Sequence, residues 1–284
     1  MKTNRIGKAI GMILLCLALM SPITLLLPQL SAVALPISER ILFRQSIEKI
    51  SHAFESAKAI NDKLHEFVLE EINTYGDTDG EFEIQVAEEK LREIAEDLAL
   101  LDTLLLSLED LDGDMETSVG KTVLAVREYL NTLRNISLDM SELIEYSIEL
   151  YRAIVVIGDV NENAQSYSQF ADEIYTATST GIAMLENLTP PAYLKITHDD
   201  LILRIKELND FSVDFYIAAE LDDPLRLYSC FYRMNRVEAQ MNRCAENLDE
   251  DLLLQFEQAY RRLSGHIALL RGELTKNIDL LLAV

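Results

Sequence analysis

Residues 123–158 read VLAVREYLNTLRNISLDMSELIEYSIELYRAIVVIG, and the spacing of their apolar side chains decides the fold. Val123, Val126, Leu130, Leu133, Met140 and Ile144 recur in steps of three, four and seven and continue to Ile154. That period lines side chains along one face of an α-helix. No glycine or proline interrupts the stripe before Gly158, so it predicts one long amphipathic helix that stops there.

The same period extends in both directions. Towards the N-terminus, one stripe holds Ile47, Ile50, Phe54, Ala57, Leu64 and Val68, and a second holds Ala87, Leu91, Ile94, Leu98, Leu101, Leu105 and Leu108. Gly76-Asp77-Thr78-Asp79-Gly80 and Asp112-Gly113-Asp114 break the chain after each. Towards the C-terminus a fourth helix carries Tyr167, Phe170, Ile174, Ala177, Met184 and Leu188. Thr189 is placed to cap a fifth, with Pro190 at its first position, where no amide hydrogen is needed. Its stripe is Leu194, His198, Leu201, Ile205, Leu208, Phe215 and Ala219. Asp223-Pro224 repeats that start signal for a sixth helix, and the last stripe runs from Leu252 through Phe256, Ala259, Leu263, Leu270 and Leu274 to Leu281. Periodicity leaves open whether this last stripe continues the sixth helix or follows a turn near Asn247.

Helices of about 25–40 residues span roughly 40–60 Å each. Joined by short turns, they predict an all-α fold: an elongated antiparallel bundle of six or seven long helices. Only 10 glycines and 6 prolines occur in 284 residues, which agrees with an all-α composition. Leu108-Glu109-Asp110-Leu111-Asp112 is echoed by Leu185-Glu186-Asn187-Leu188-Thr189. If that echo marks a repeat, residues 35–158 and 159–284 are two helical halves, or one continuous bundle.

Residues 1–34 read as an export signal. Lys2, Arg5 and Lys8 precede a run without charge over residues 9–38, and Ser31-Ala32-Val33-Ala34 offers the small residues that a signal peptidase takes. The run is also long enough to stay as an uncleaved membrane anchor, although Pro22 and Pro28 interrupt it. Either reading sends the remainder out of the cytoplasm and confines membrane contact to residues 1–34. Leu14-Leu15 before Cys16 lacks the small residues of a lipoprotein signal.

The chain is acidic. Its net charge is −23, and losing Lys2, Arg5 and Lys8 would leave 22 basic against 48 acidic residues, or −26. This composition argues against nucleic acid and against electrostatic docking on anionic lipid.

Motifs for chemistry fail on spacing. His65-Glu66 lacks the second histidine of a zinc-protease helix, and Asp110, Asp112 and Asp114 lead to Lys121 where a calcium loop needs glutamate. Gly120-Lys121-Thr122 lacks the first glycine of a phosphate loop, and Ser118-Val119-Gly120-Lys121 lacks the companion motifs of penicillin-binding enzymes. Four histidines lie on separate helices with no evident nucleophile. The expectation is a non-enzyme with no cofactor and no metal. Cys230 and Cys244 share one helical stripe fourteen residues apart, about 21 Å, so they cannot pair with each other. They read as buried thiols or as intermolecular partners.

Thr189-Pro190-Pro191, with His198 beyond, resembles a loop-to-helix element in secreted or surface helical-bundle domains. The likeness covers residues 185–223 and implies an extracytoplasmic helical hairpin with no assigned chemistry. His198 falls on an apolar stripe and reads first as a packed imidazole bonded to a neighbouring helix. Tyr and Phe recur on the later helices (Tyr167, Phe170, Tyr175, Phe211, Phe215, Tyr216, Tyr228, Phe231 and Tyr232) and read mainly as core. A second reading places His198, Tyr167 and Phe215 around a ligand-binding cleft between helices four, five and six. Two functions follow as expectations. One is a structural or interaction module at the cell surface or in the periplasm, engaging an unknown protein or forming a homo-oligomer. The other is a tethered, sensor-like bundle that binds a small ligand.

Overall fold

The computed structural model describes residues 37–76, 84–111, 117–158 and 164–282. The export segment and the turns around Asp77, Asp79, Asp112 and Asp114 lie outside the described residues. Eight helical segments appear: α1 (Ile37–Gly76), α2 (Ile84–Glu109), α3 (Ser118–Gly158), α4 (Tyr167–Glu186), α5 (Lys195–Glu220), α6 (Pro224–Arg262), a π-helical turn (Leu263–Ile267) and α7 (Ala268–Leu282). The last three are continuous, so the described residues form an all-α bundle of six rods, with no strand among them. Contacts divide it into Met1–Leu42, which includes the opening turns of α1, and Phe43–Val284, which holds the bundle.

The stripes point inward. Ile47, Ile50, Phe54, Ala57, Leu64 and Val68 of α1 are all buried, as are the stripe residues of α3 from Val123 to Ile144. Ile154 is the exception: it is exposed, and Ala153 and Ile157 on either side take the inner positions. One large apolar cluster joins Phe54, Leu101, Leu130, Leu201, Phe256 and Leu274, drawing on both sides of Gly158. Burying each such side chain contributes about 1.5–3 kcal/mol, which is what holds rods of weak intrinsic stability together. A smaller cluster of Ala171, Ile174, Phe211, Phe215, Ala218 and Cys230 fills the far end of α4, α5 and α6.

Local signals set the helix ends. Ser166 caps α4 by accepting a hydrogen bond from the Gln169 amide at 3.1 Å. Asp223 caps α6 by accepting from the amides of Leu225 and Arg226, with Pro224 in the first turn. The start of α5 differs from the sequence expectation. A proline disfavours helical backbone angles at the residue before it, so Pro191 works against a helix beginning at Pro190. A turn closed by the Leu194 amide on the Pro191 carbonyl intervenes, and α5 begins at Lys195. His198 therefore sits in the first turn of α5. Asn247 is exposed inside α6 and does not break it, because Cys244, Leu248 and Leu252 keep the helix packed on the core.

Gly181 fixes how closely α4 lies on α3. A Cβ there would collide with the Ile157 side chain, so no larger residue fits without displacing it.

Candidate functional site

α3, α4 and α5 bring three polar groups into the core at His198. The imidazole is 2% exposed. Its Nδ1 lies 3.0 Å from the Tyr146 hydroxyl on α3, and it also bonds the Leu185 carbonyl at the end of α4. Burial lowers the His198 pKa and raises that of the Tyr146 phenol, which keeps both groups neutral. The neighbouring turn is tied to α6: Thr197 donates to Asp251 at 2.5 Å, and the Cys244 thiol donates to the Thr197 carbonyl at 3.7 Å. Burial pushes the Cys244 thiol up to about 11, so it stays protonated and unreactive at neutral pH.

A shallow groove of about 340 Å³ lies between the end of α4 and the start of α5, with His198 in its lining. Glu186–Lys206 and Lys195–Asp199 ion pairs stand along it at 2.5 and 3.3 Å. Bonded to Tyr146 of α3 and set against the Leu185 carbonyl of α4, His198 works as a strut between three helices.

Tyr167 and Phe215 lie elsewhere. Seventeen residues of α5 separate His198 from Phe215, about 25 Å along the helix. Phe215 is fully buried, packed against Phe211 at 5.5 Å and Phe231 at 5.3 Å between ring centroids. Tyr167 covers it from outside at 5.9 Å and is 56% exposed. The three residues that the sequence grouped as a speculative ligand site thus fall in two places. At the second, phenylalanine rings fill the space between the helices.

The other sequence candidates have structural partners or lie on the surface. His65 stacks on Tyr260 at 4.8 Å. Ser118 and Lys121 are exposed in the first turn of α3, where the Thr117 hydroxyl accepts from the Gly120 amide at 3.1 Å. Cys230 and Cys244 are buried free thiols. Among the described residues no three His, Cys, Asp or Glu side chains converge as a metal site would need, and no helix is long and apolar enough to cross a membrane. A second groove, about 390 Å³, runs between α1 and α2 with charged walls that include Lys63, Lys90, Glu93 and Asp97. Lys63–Asp97 and Lys90–Glu70 ion pairs bridge the two helices.

Two features escaped the sequence reading. Asn209 on α5 donates to the hydroxyls of Thr178 and Ser179, both at 2.8 Å, and staples α5 to α4. The tyrosines of the later helices separate from the phenylalanines: Phe211 and Phe215 are buried, while Tyr228 and Tyr232 are 76% and 72% exposed. With Leu225, 82% exposed, they form an outward stripe on α6 at steps of three and four. Their offset from the buried positions Cys230, Val237 and Cys244 was the available signal.

No protein-family model, no curated protein and no solved structure matches the chain.

Proposed function

We propose that this chain is an exported, non-enzymatic helical bundle that acts as an interaction module outside the cytoplasm. The observation that carries the reading is the outward stripe Leu225, Tyr228 and Tyr232. Large side chains this exposed and this regularly spaced are costly to leave in water, and tyrosine suits a surface that is wet alone and covered in a complex. The polar groups of the interior support the same reading, since His198, Tyr146 and Asn209 spend their hydrogen bonds on joining helices. Residues 1–34 supply the route out of the cytoplasm.

The alternative, a tethered ligand-binding bundle, rests on the groove beside His198. Its ion-paired rim and engaged imidazole offer a small ligand few free polar groups, which places it second.

The experiment is a cell-impermeant amine crosslinker applied to intact cells of the native host. The expected result is higher-mass species with the wild-type chain and their loss with Tyr228→Ser/Tyr232→Ser, at an unchanged melting temperature. A chain that reacts only after lysis, or adducts indifferent to the double substitution, would overturn the reading.

A further inference from the structure

The stripe on α6 does not end at Tyr232. The face opposite the buried Cys230, Val237, Cys244 and Leu248 continues through Arg236, Ala239, Arg243, Glu246 and Glu250 to Leu254, all exposed. Charge is segregated along it. Residues 224–243 hold Arg226, Arg233, Arg236 and Arg243 against the single acid Glu238. Residues 244–260 hold Glu246, Asp249, Glu250, Asp251 and Glu257 and no cation. Arg233 is spent on Asp214 of α5, and Glu257 on Arg261. Arg236, Arg243, Glu246 and Glu250 have no ion-pair partner among the described residues.

We propose that this face is a homodimer interface, in which a second copy of the chain lies antiparallel along α6 with the two-fold axis crossing the exposed face at the level of Met241, whose own side chain packs on the core. This names the partner of the interaction module inferred above and rests on that reading. The pattern of the face argues for self-pairing. Arg236 and Glu246 are equidistant from Met241, as are Tyr232 and Glu250, and Tyr228 and Leu254. Antiparallel pairing about Met241 sets each of these residues against the other's counterpart. Arginine then meets glutamate, a phenol donates towards a carboxylate, and an aromatic ring covers a leucine. A two-fold makes every such contact twice, which is why a self-complementary stripe is the signature of an isologous dimer. Net charge adds to the case. Two copies at −23 repel over most orientations, and the first half of α6 is a long exposed segment where arginine outnumbers acid. An acidic copy is attracted there and turned into one register.

Sedimentation velocity on the chain purified from its host, at micromolar concentration and physiological salt, reads the association. The expected result is a dimer that Arg236→Glu and Glu246→Arg each weaken at least about tenfold. The combined Arg236→Glu/Glu246→Arg variant recovers wild-type affinity to within roughly threefold, because the pair is restored with its signs exchanged. Circular dichroism melts confirm that each variant stays folded. Register is read by oxidation: Ala239→Cys mixed with Arg243→Cys links, Tyr228→Cys does not link to itself, and Tyr228→Cys mixed with Leu254→Cys does. A monomer throughout, a dimer indifferent to both charge reversals, or self-linkage of Tyr228→Cys would overturn the proposal. So would a monomer that instead binds phosphatidylserine vesicles through these arginines. A chain that is monomeric when pure, yet still yields crosslinked adducts on intact cells, removes the dimer and leaves the module. A chain unreachable in intact cells does the reverse.

Discussion

His198 occupies an inward position that leucine would fill by pattern, and what it gives the bundle is two hydrogen bonds rather than apolar area. Read as simple packing, its replacement by leucine would leave stability equal or higher. The structure changes that expectation, because His198→Leu strands the buried Tyr146 hydroxyl, while the Leu185 carbonyl keeps the Leu188 amide at 3.0 Å. The cost expected is about 1–3 kcal/mol, and Tyr146→Phe added to it recovers much of the loss, because neither hydroxyl nor imidazole is then left unpaired. Chemical denaturation of the two single variants and the double variant checks this. Tyr129 is the converse case. It is fully buried against Phe54, its hydroxyl has no hydrogen-bond partner, and burial drives its pKa up. Tyr129→Phe is therefore expected to stabilise the fold by about 1 kcal/mol in the same assay. The sequence reading named His198 and the helical surroundings that bond it. It could not name Tyr146, because 52 residues separate the pair and nothing in either local pattern records the contact.

The joint between α5 and α6 shows how short-range chemistry builds a hairpin. The Asp222 and Asp223 amides bond back to the carbonyls of Ala219 and Ala218, both at 3.1 Å, and Asp222 takes a left-handed φ of 49°. Glycine adopts that backbone without the clash of a Cβ. Asp222→Gly is expected to stabilise the protein by roughly 0.5–1 kcal/mol, read as a higher melting temperature. Asp223→Ala removes the cap of α6 and is expected to cost about 1 kcal/mol. Helix ends governed by one residue's own chemistry were legible, as Asp223-Pro224 was. The start of α5 was not, since the second proline of Pro190-Pro191 cancels the helix-start signal of the first and only the full turn shows where the chain recovers. Helix faces were legible wherever burial was deep. On α6, two of the five aromatic residues face out, Tyr228 and Tyr232, and aromatic content alone could not separate the core phenylalanines from the surface tyrosines.

For the whole molecule, two ionisable groups, one buried and one half-buried, pull the pH dependence in opposite directions. His198 has a lowered folded pKa, so its contribution is present above the unfolded value near 6.5 and is lost as pH falls below it. Glu71 near the end of α1 is pushed up from 4.5 to about 7, first by burial and then by Glu70. Its contribution is present below pH 4.5 and is lost as pH rises to about 7. Glu71→Gln is therefore expected to raise stability at pH 8, by on the order of 1 kcal/mol, and to change little at pH 4. Melting curves at the two pH values check this, and equal effects at both would contradict it. The bundle itself was legible because its energy lies in periodic apolar stripes, which sequence records directly. Assembly is recorded more faintly, in the order of charges along one exposed face. The measurement that bears most directly on the role proposed here is the intact mass of the chain recovered from the fractions of its native host. The expected species lies outside the cytoplasm, either beginning at Leu35 or held in the membrane with residues 1–34 retained. A full-length chain beginning at Met1 in the soluble cytoplasmic fraction would contradict it.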